Sequence, residues 1–453
     1  MKRAREKPKK ISKISRVLLL LIFLLSLSSI ALAEPPERSL GSIGPAGSDG
    51  FYVPAYTIDY ERFSADDYLN LLEQVFWYVY NNYVDEVDPK TLLEGALHGL
   101  LDSLDDPYST YLDAKDMERT TDITLGKYGG IGISIIKQIK GDRLNPSLNR
   151  EEESSYVRVI SPIEGTPAHR SGILPGDLII EIEEESTIDM TADEVIDKLR
   201  GLPGTEVKIK ILRGADIEFD VVLTREIIEV PTVKKAIIPP DIGYLRITEF
   251  TLFTPDRVEE ALKYFERGGY TSLIIDVRNN PGGLLSSAVD TADLFLSGGI
   301  IVSTRSRIAS ENMDFMASEE TKVSYNIPIV VLINKGSASA SEILAGALKD
   351  RGRAYLIGEE TYGKGSVQRL NPLGPGGFRL TTARYFTPSD ANIDMVGITP
   401  HKIVKEYELT EDEQKSYQEI IKNNISKIYD LEYDTVLREA VKVLKRQIEK
   451  CPF

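Results

Sequence analysis

The stretch from Pro328 to Gln368 constrains this chain more than any other. It begins with Pro328-Ile-Val-Val-Leu-Ile-Asn334, an apolar run that reads as a buried strand. Lys335-Gly-Ser-Ala-Ser-Ala-Ser341 follows, then a short amphipathic helix carrying Ile343, Leu344, Ala347 and Leu348, then a second apolar strand at Tyr355-Leu-Ile-Gly358. Thr361-Tyr-Gly-Lys-Gly-Ser-Val-Gln368 closes the stretch. A small-residue turn between strand and helix lets a hydroxyl stand clear of the backbone, and the helix start supplies open N–H groups and a positive dipole end. A lysine returns one strand later between Gly363 and Gly365. This is the layout of a serine nucleophile with a lysine as its base.

Three serines compete for the first role: Ser337, Ser339 and Ser341. A histidine base would have to be His98, His169 or His401, the three in the chain. The first two fall in other segments, and His401 follows Thr399-Pro400 at the far end of the same region, so a Ser/Lys pair is favoured. Lysine must be neutral to act as a base. Lowering it from about 10.4 towards ~7 takes about 4 kcal/mol of bias against the charged form, which burial in a dry site supplies. Lys364 has no acid within two residues, although Glu359 and Glu360 are near enough to oppose the shift if they turn inward.

The second half of the chain, about 226–405, alternates strands and helices. Ile242–Ile247 is a strand, and Thr254-Pro255 starts a helix with Val258, Ala261, Leu262 and Phe265 inward, ended by Gly268. Ser272–Val277 reads as a buried strand that runs into Arg278-Asn-Asn-Pro-Gly-Gly283. A strand ending in exposed glycine N–H groups is one way to build an oxyanion cradle.

From about Leu125 to Arg225 the pattern is short strands and turns: Tyr128–Ser134, Tyr156–Ile160, Asp177–Ile182, Glu206–Leu212 and Ile217–Leu223. Thr191 and Glu194 are spaced as a capping box before a helix that Gly201 stops. With Ser161-Pro-Ile-Glu-Gly-Thr-Pro and Gly172-Ile-Leu-Pro-Gly-Asp177, this succession resembles a PDZ domain. The resemblance implies that backbone N–H groups around Ile131, Gly132 and Ile133 hold a peptide's terminal carboxylate while the peptide adds as a strand. A polar insertion at about 140–155 departs from that pattern and reads as a solvated hairpin extension.

Residues 1–16 carry eight Lys/Arg against one Glu, and Val17–Leu25 is unbroken apolar sequence before Ala31-Leu-Ala33. Residues 1–33 read as a signal peptide cleaved after Ala33; retention would leave an N-terminal membrane anchor. Either way the remainder is exported, to the periplasm, cell envelope or outside, with membrane proximity if the segment stays. Losing this +7 segment takes the net charge from −16 to −23, so nucleic acid is not an expected partner. The single cysteine, Cys451, excludes intrachain disulfides and cysteine metal sites. Residues 34–62 read as a flexible lead-in, and 63–124 as helical, with Tyr68, Leu71, Leu72, Val75, Phe76, Val79, Tyr80 and Tyr83 on one face. The tail at 406–453 is charged and helical in pattern (Tyr417, Ile420, Ile421; Val436, Ala440, Val443, Leu444) and is expected to pack with the N-terminal helices in a homo-oligomer.

Asp276-Val-Arg-Asn-Asn-Pro-Gly-Gly283, Gly336-Ser-Ala-Ser-Ala-Ser-Glu-Ile343 and Gly363-Lys-Gly-Ser-Val-Gln368 together resemble the motifs of carboxyl-terminal processing (tail-specific) serine proteases. The resemblance spans roughly 63–405 in the family's order: helical segment, inserted PDZ domain at 125–225, and Ser/Lys protease core at 226–405. It implies a multidomain α/β chain with a crotonase-like (ClpP/crotonase) core. It further implies Ser339 as nucleophile, Lys364 as general base, Gln368 orienting the lysine, and an oxyanion hole from Ala340 with Gly282 or Gly283. No metal or other cofactor is required. Expected substrates are proteins or peptides with unstructured apolar C-termini. The alternatives are a catalytically inactive PDZ adaptor, an acyl-CoA enzyme on a related core, and a non-proteolytic Ser/Lys amidohydrolase. His401 stands where the family commonly has an acid, and is expected to alter a surface turn, not the site. Glu342 reads as a first-turn acid that complements the helix dipole.

Overall fold

The computed structural model describes residues 63–137, 156–214, 216–406 and 429–450. The signal segment, the lead-in, the 140–155 insertion and Tyr417, Ile420 and Ile421 lie outside the described residues. Helix α1 (Ala65–Asn82) has no buried residue. Helix α2 (Pro89–Asp102) starts on Asp88, whose side chain accepts from Lys90 N at 2.9 Å, with proline at its first position. Strand β1 (Thr110–Leu112) and helix α3 (Ala114–Leu125) complete the N-terminal region.

The next region is antiparallel throughout. Its elements are β2 (Lys127–Gly130), β3 (Ile133–Lys137), β4 (Val157–Pro162), the single-turn helix α4 (Pro167–Arg170), β5 (Leu178–Ile182), β6 (Glu185–Ser186), α5 (Ala192–Leu199), β7 (Glu206–Arg213), β8 (Ile217–Thr224) and β9 (Glu226–Glu229). The sheet runs β3-β4-β5-β7-β8, while β2 pairs with β9 and ties both ends of the region together. The capping box of α5 forms as its spacing requires: Glu194 N donates to Thr191 Oγ1 at 3.2 Å, and Thr191 N to Glu194 Oε2 at 2.6 Å. Val157, Ile179, Val195, Val207, Ile209 and Leu223 fill the interior. The glycine-rich run at 128–134 leads into β3 through Ile131-Gly132, where Gly132 takes a φ of +77°.

The remaining elements are β10 (Val233–Ile238), β11 (Ile242–Ile247), α6 (Thr254–Arg267), β12 (Ser272–Asp276), α7 (Leu285–Asp293), β13 (Ile300–Ser306), β14 (Met313–Met316), β15 (Ile329–Ile333), α8 (Ala340–Asp350), β16 (Tyr355–Gly358), β17 (Ser366–Leu373), β18 (Gly376–Phe386), β19 (Lys402–Ile403) and α9 (Thr435–Lys450). The central sheet runs β10-β11-β12-β15-β16-β19, parallel except at β10. Alternate residues face opposite sides, and both sides are covered. Leu273, Ile275, Val331 and Ile333 join one cluster with α6, α7 and α8; Ile274, Val330 and Leu332 join another with α9. Burial on both faces explains why β12 and β15 read as unbroken apolar runs. A second sheet runs β1-β18-β13-β14, with β17 also paired to β18.

One expectation is corrected. Helix α8 is not amphipathic: every residue from Ala340 to Leu348 is buried, because the alanines and Gly346 let neighbouring elements close on all sides. The stripe on α9 is occupied by its own core, where Val436, Leu437, Ala440 and Leu444 are all but inaccessible. Each fully buried Val or Leu contributes roughly 1.5–3 kcal/mol, so this packing outweighs the helix's surface ion pairs.

Candidate active site

In parallel sheets the crevice outside the carboxyl ends of the strands is where functional loops meet. Here β12 and β15 are neighbours, so the loop after β12 (Val277–Gly283) and the turn after β15 (Asn334–Ser339) emerge side by side. Ala338 N and Ser341 Oγ both donate to Asn280 O, at 3.0 and 2.9 Å, fastening one to the other. Asn280 Nδ2 in turn donates to Ile247 O at 3.0 Å.

The local bonding separates the three serines. Ser337 Oγ donates to Val277 O at 2.8 Å and accepts from Asn334 N at 3.0 Å. Ser341 Oγ is committed to Asn280 O. Both are structural. Ser339 alone has a positive φ, 53° with ψ −113°, immediately before α8. That is a backbone region costing a non-glycine residue of order 1–3 kcal/mol, held only where the surroundings over-determine it. The Ser339 side chain meets the buried phenol of Tyr385 on β18, a group whose pKa burial drives well above the usual tyrosine range.

Gly282, with a φ of +110°, lies against this turn, and Gly283, with a φ of +135°, lies against the Phe250 backbone. A Cβ on Gly282 would stand 2.8 Å from Ser339 Cβ and 3.1 Å from Ala340 N, so the loop's backbone reaches the serine only as glycine. Gly282 N–H donates to Asn280 Oδ1 at 2.9 Å. Among the described residues, the N–H groups of Gly283 and Ala340 take no protein acceptor.

Lys364 sits in the loop between β16 and β17 and is half-buried. Desolvation, and then the positive charge of Arg379, lower its pKa below the ordinary lysine value, while Asp106 and Glu342 oppose the shift. The opposing acids are therefore not Glu359 and Glu360 but two brought from elsewhere in the chain. Its Nζ lies 4.5 Å from the centroid of the Tyr108 ring. Among the described hydrogen bonds none joins Nζ to Ser339 Oγ or to Gln368. Gln368 Nε2 donates to Ser366 Oγ at 2.8 Å and Thr381 Oγ1 at 3.3 Å. No described hydrogen bond joins the amine to the hydroxyl, and the expected contact of Gln368 with the lysine is not made here.

Glu342 proves to be more than a dipole-complementing acid. It is fully buried, and its carboxylate accepts from Ser339 N (2.7 Å), Lys364 N (2.9 Å), Gly363 N (2.7 Å) and Thr361 Oγ1 (2.5 Å). Burial raises its pKa against the pull of these four donors. Tyr108, Asp106 and Arg379 lie close to Lys364. Arg379 Nε donates to Tyr108 O at 2.9 Å, and Ser109 Oγ to Asp106 Oδ2 at 2.6 Å. Pairing of β1 with β18 brings them here across more than two hundred residues. No local pattern announced them.

None of the histidines joins the site: His98 packs edge-on against Tyr111, and His169 sits on α4. His401 stacks on Tyr355 and accepts from Leu356 N at 2.9 Å, which keeps it at an exposed bend as expected. In the antiparallel region, Ile131 O accepts from Ala168 N and Gly132 O from Ile163 N, at 3.0 and 2.9 Å. The N–H groups of Ile131 and Gly132 take no protein acceptor among the described residues, and Ile133 begins the edge strand β3.

Residues 241–404 match the model of Peptidase family S41, 158–213 that of a PDZ domain, and 57–116 that of the activating protease CtpB N-terminal domain. The carboxy-terminal-processing protease of Bartonella bacilliformis is 39% identical over 402 residues, 84% of this chain and 88% of that protein. The carboxy-terminal processing protease CtpB of Bacillus subtilis is 33% identical over 363 residues, 78% of this chain and 71% of that one. Among solved structures, the photosystem II D1 C-terminal processing protease is 26% identical, covering 77% of this chain and 96% of its own, with a TM-score of 0.45. The chain therefore belongs to the carboxy-terminal processing proteases of peptidase family S41, serine hydrolases of peptide bonds, and carries their PDZ domain.

Proposed function

We propose that this chain is an exported endopeptidase that captures unstructured apolar C-terminal tails on its PDZ domain and cleaves them through Ser339 and Lys364. Neutral Lys364 takes the Ser339 proton as Oγ bonds to the scissile carbonyl carbon. The N–H groups of Ala340 and Gly283 receive the developing oxyanion; Gly282, engaged by Asn280, shapes the cradle instead. The protonated lysine then gives its proton to the leaving amine, and water hydrolyses the acyl-enzyme by the same route. The single observation carrying this reading is that Ser339 and Lys364 hang from one buried carboxylate, with Ser339 in strained backbone. Catalytic contacts commonly close only in the substrate complex, so the parted amine and hydroxyl fit a resting arrangement. Gln368 then orients the lysine in the closed state.

The open edge of β3 and the N–H groups at Ile131 and Gly132 support strand addition and carboxylate capture. Export rests on the +7 segment and the apolar run after it.

The test is digestion of an unstructured peptide with an apolar C-terminus by wild type, Ser339→Ala and Lys364→Ala, read by mass spectrometry. Both variants should be inactive. Cleavage persisting in either removes that residue's role. Amidating the peptide's C-terminus should raise KM; unchanged turnover at low substrate overturns tail capture.

A further inference from the structure

The base of the oxyanion loop is held from behind by the C-terminal segment. Arg278, the first residue of the Arg-Asn-Asn-Pro-Gly-Gly loop, is 6% exposed and its guanidinium is shared between two carboxylates. Nε and Nη2 donate to Asp276 at 3.0 and 2.6 Å; Nη1 and Nη2 donate to Asp434 at 3.0 and 2.6 Å. Asp276 is wholly buried and also accepts from Tyr244 OH at 2.7 Å and from Arg278 N at 3.0 Å. Two-sided bidentate pairing fixes the plane of the guanidinium as well as its place.

The next residue continues the chain of contacts. Asn279 N donates to Asn334 Oδ1 at 2.9 Å, and Gly336 N donates to the same oxygen at 3.0 Å. Asn334 Nδ2 donates to Asn279 Oδ1 and to Glu406 Oε1, at 3.0 and 3.1 Å. Glu406 stands 3.7 Å from Arg278 Nη1. Two carboxylates from beyond the central sheet, Glu406 and Asp434, thus grip the roots of both loops that meet at Ser339.

We infer that Asp434 is a positioning residue of the active site, fixing Arg278 and through it the Asn-Asn-Pro-Gly-Gly loop, so that the C-terminal helix sets oxyanion geometry. This rests on the reading of Gly283 and Ala340 as the oxyanion donors. Removing Asp434 leaves Nη1 without its hydrogen-bond acceptor, with the half-exposed Glu406 carboxylate 3.7 Å away, and the guanidinium can turn. A loop displaced by about 1 Å suffices to cost on the order of a hundredfold in rate.

A merely structural role is separable. Glu439, on the helix that Asp434 caps, accepts from Lys402 Nζ at 2.7 Å on β19 and makes no hydrogen bond to Arg278, Asn279 or Asn334 among the described residues. Glu439→Ala loosens the helix without touching Arg278. Asp434 also accepts from Leu437 N at 2.8 Å at the start of α9, so Asp434→Asn keeps a cap acceptor while removing the charge.

The experiment compares kcat and KM of wild type, D434A, D434N and E439A on one tail peptide. Turnover is counted per Ser339 labelled at completion by a fluorophosphonate. D434A and D434N should lose about tenfold or more in kcat with KM within about twofold, and E439A should stay near wild type. Should D434A not fold, D434N carries the same comparison. Equal kcat in D434N and E439A, or a loss confined to KM, overturns the inference. S339A in parallel guards the underlying reading: activity there would remove the site itself, whereas an inactive S339A beside a fully active D434N removes only the role of Asp434.

Discussion

The backbone amides of Ser339 and Lys364 donate to the same atom, Oε2 of Glu342, at 2.7 and 2.9 Å. The two residues lie on opposite sides of β16, and nothing in strand pairing alone fixes their separation. A buried carboxylate accepting both N–H groups does, and it also holds the strained backbone of Ser339. Charge-assisted bonds of this kind are roughly twice as strong as neutral ones, which suits a constraint against strain of order 1–3 kcal/mol.

Glu342→Gln should therefore damage catalysis while leaving a folded protein. The amide replaces one acceptor oxygen with an NH2 group that faces N–H donors. Expected losses are about tenfold to a hundredfold in kcat and roughly 1–3 kcal/mol in stability. Urea unfolding with parallel peptide kinetics checks both; an unchanged kcat would mean that the shared oxygen does not set the geometry.

Ser337→Ala and Ser341→Ala should both retain cleavage to within about tenfold, since these hydroxyls serve backbone carbonyls. Each should cost roughly 1–3 kcal/mol of stability, the expense of an unsatisfied buried group. Fluorophosphonate labelling should survive in both and vanish in Ser339→Ala.

Much of this was legible because the physics is local. Strands buried on both faces must be apolar throughout, so β12, β15 and β16 could be read directly, as could the turn carrying Ser339. The capping-box spacing from Ser339 to Glu342 was also present, and it is the signal that could have placed Glu342 against Ser339. What stayed hidden was set by pairing distant in sequence. The β1–β18 register brings Asp106 and Tyr108 to Lys364, and the all-round burial of α8 depends on two sheets closing over it. The hold of Asp434 on Arg278 spans 156 residues and leaves no periodic trace.

Gly282→Ala should abolish most activity without unfolding the core. Its φ of +110° is unfavourable for alanine, and the new Cβ would stand 2.8 Å from Ser339 Cβ and 2.9 Å from Ala338 O. Misplacing the nucleophile by even a fraction of that overlap should reduce kcat by about a hundredfold. Gly99→Ala on the exposed face of α2 is the matched control, with nothing within 4 Å of its Cβ. It should gain roughly 0.5–1 kcal/mol from helix propensity and cleave normally.

The pH dependence of cleavage should respond in opposite directions to two charges beside Lys364. In the proposed mechanism Lys364 acts only when neutral, so kcat/KM should rise with pH through the lysine's pKa, which desolvation and Arg379 hold below the usual value of about 10.4. A neighbouring cation disfavours the ammonium form; Arg379→Gln removes it, the pKa rises, and the ascending limb moves to higher pH. Asp106 favours the ammonium form, so Asp106→Asn lowers the pKa and moves the limb to lower pH. Arg379→Lys keeps the charge but loses the bond from Nε to Tyr108 O, and should leave the limb close to wild type. Measured on a peptide without titratable side chains, a shift of both neutralising variants in the same direction would show that packing around Tyr108, not charge, controls the lysine.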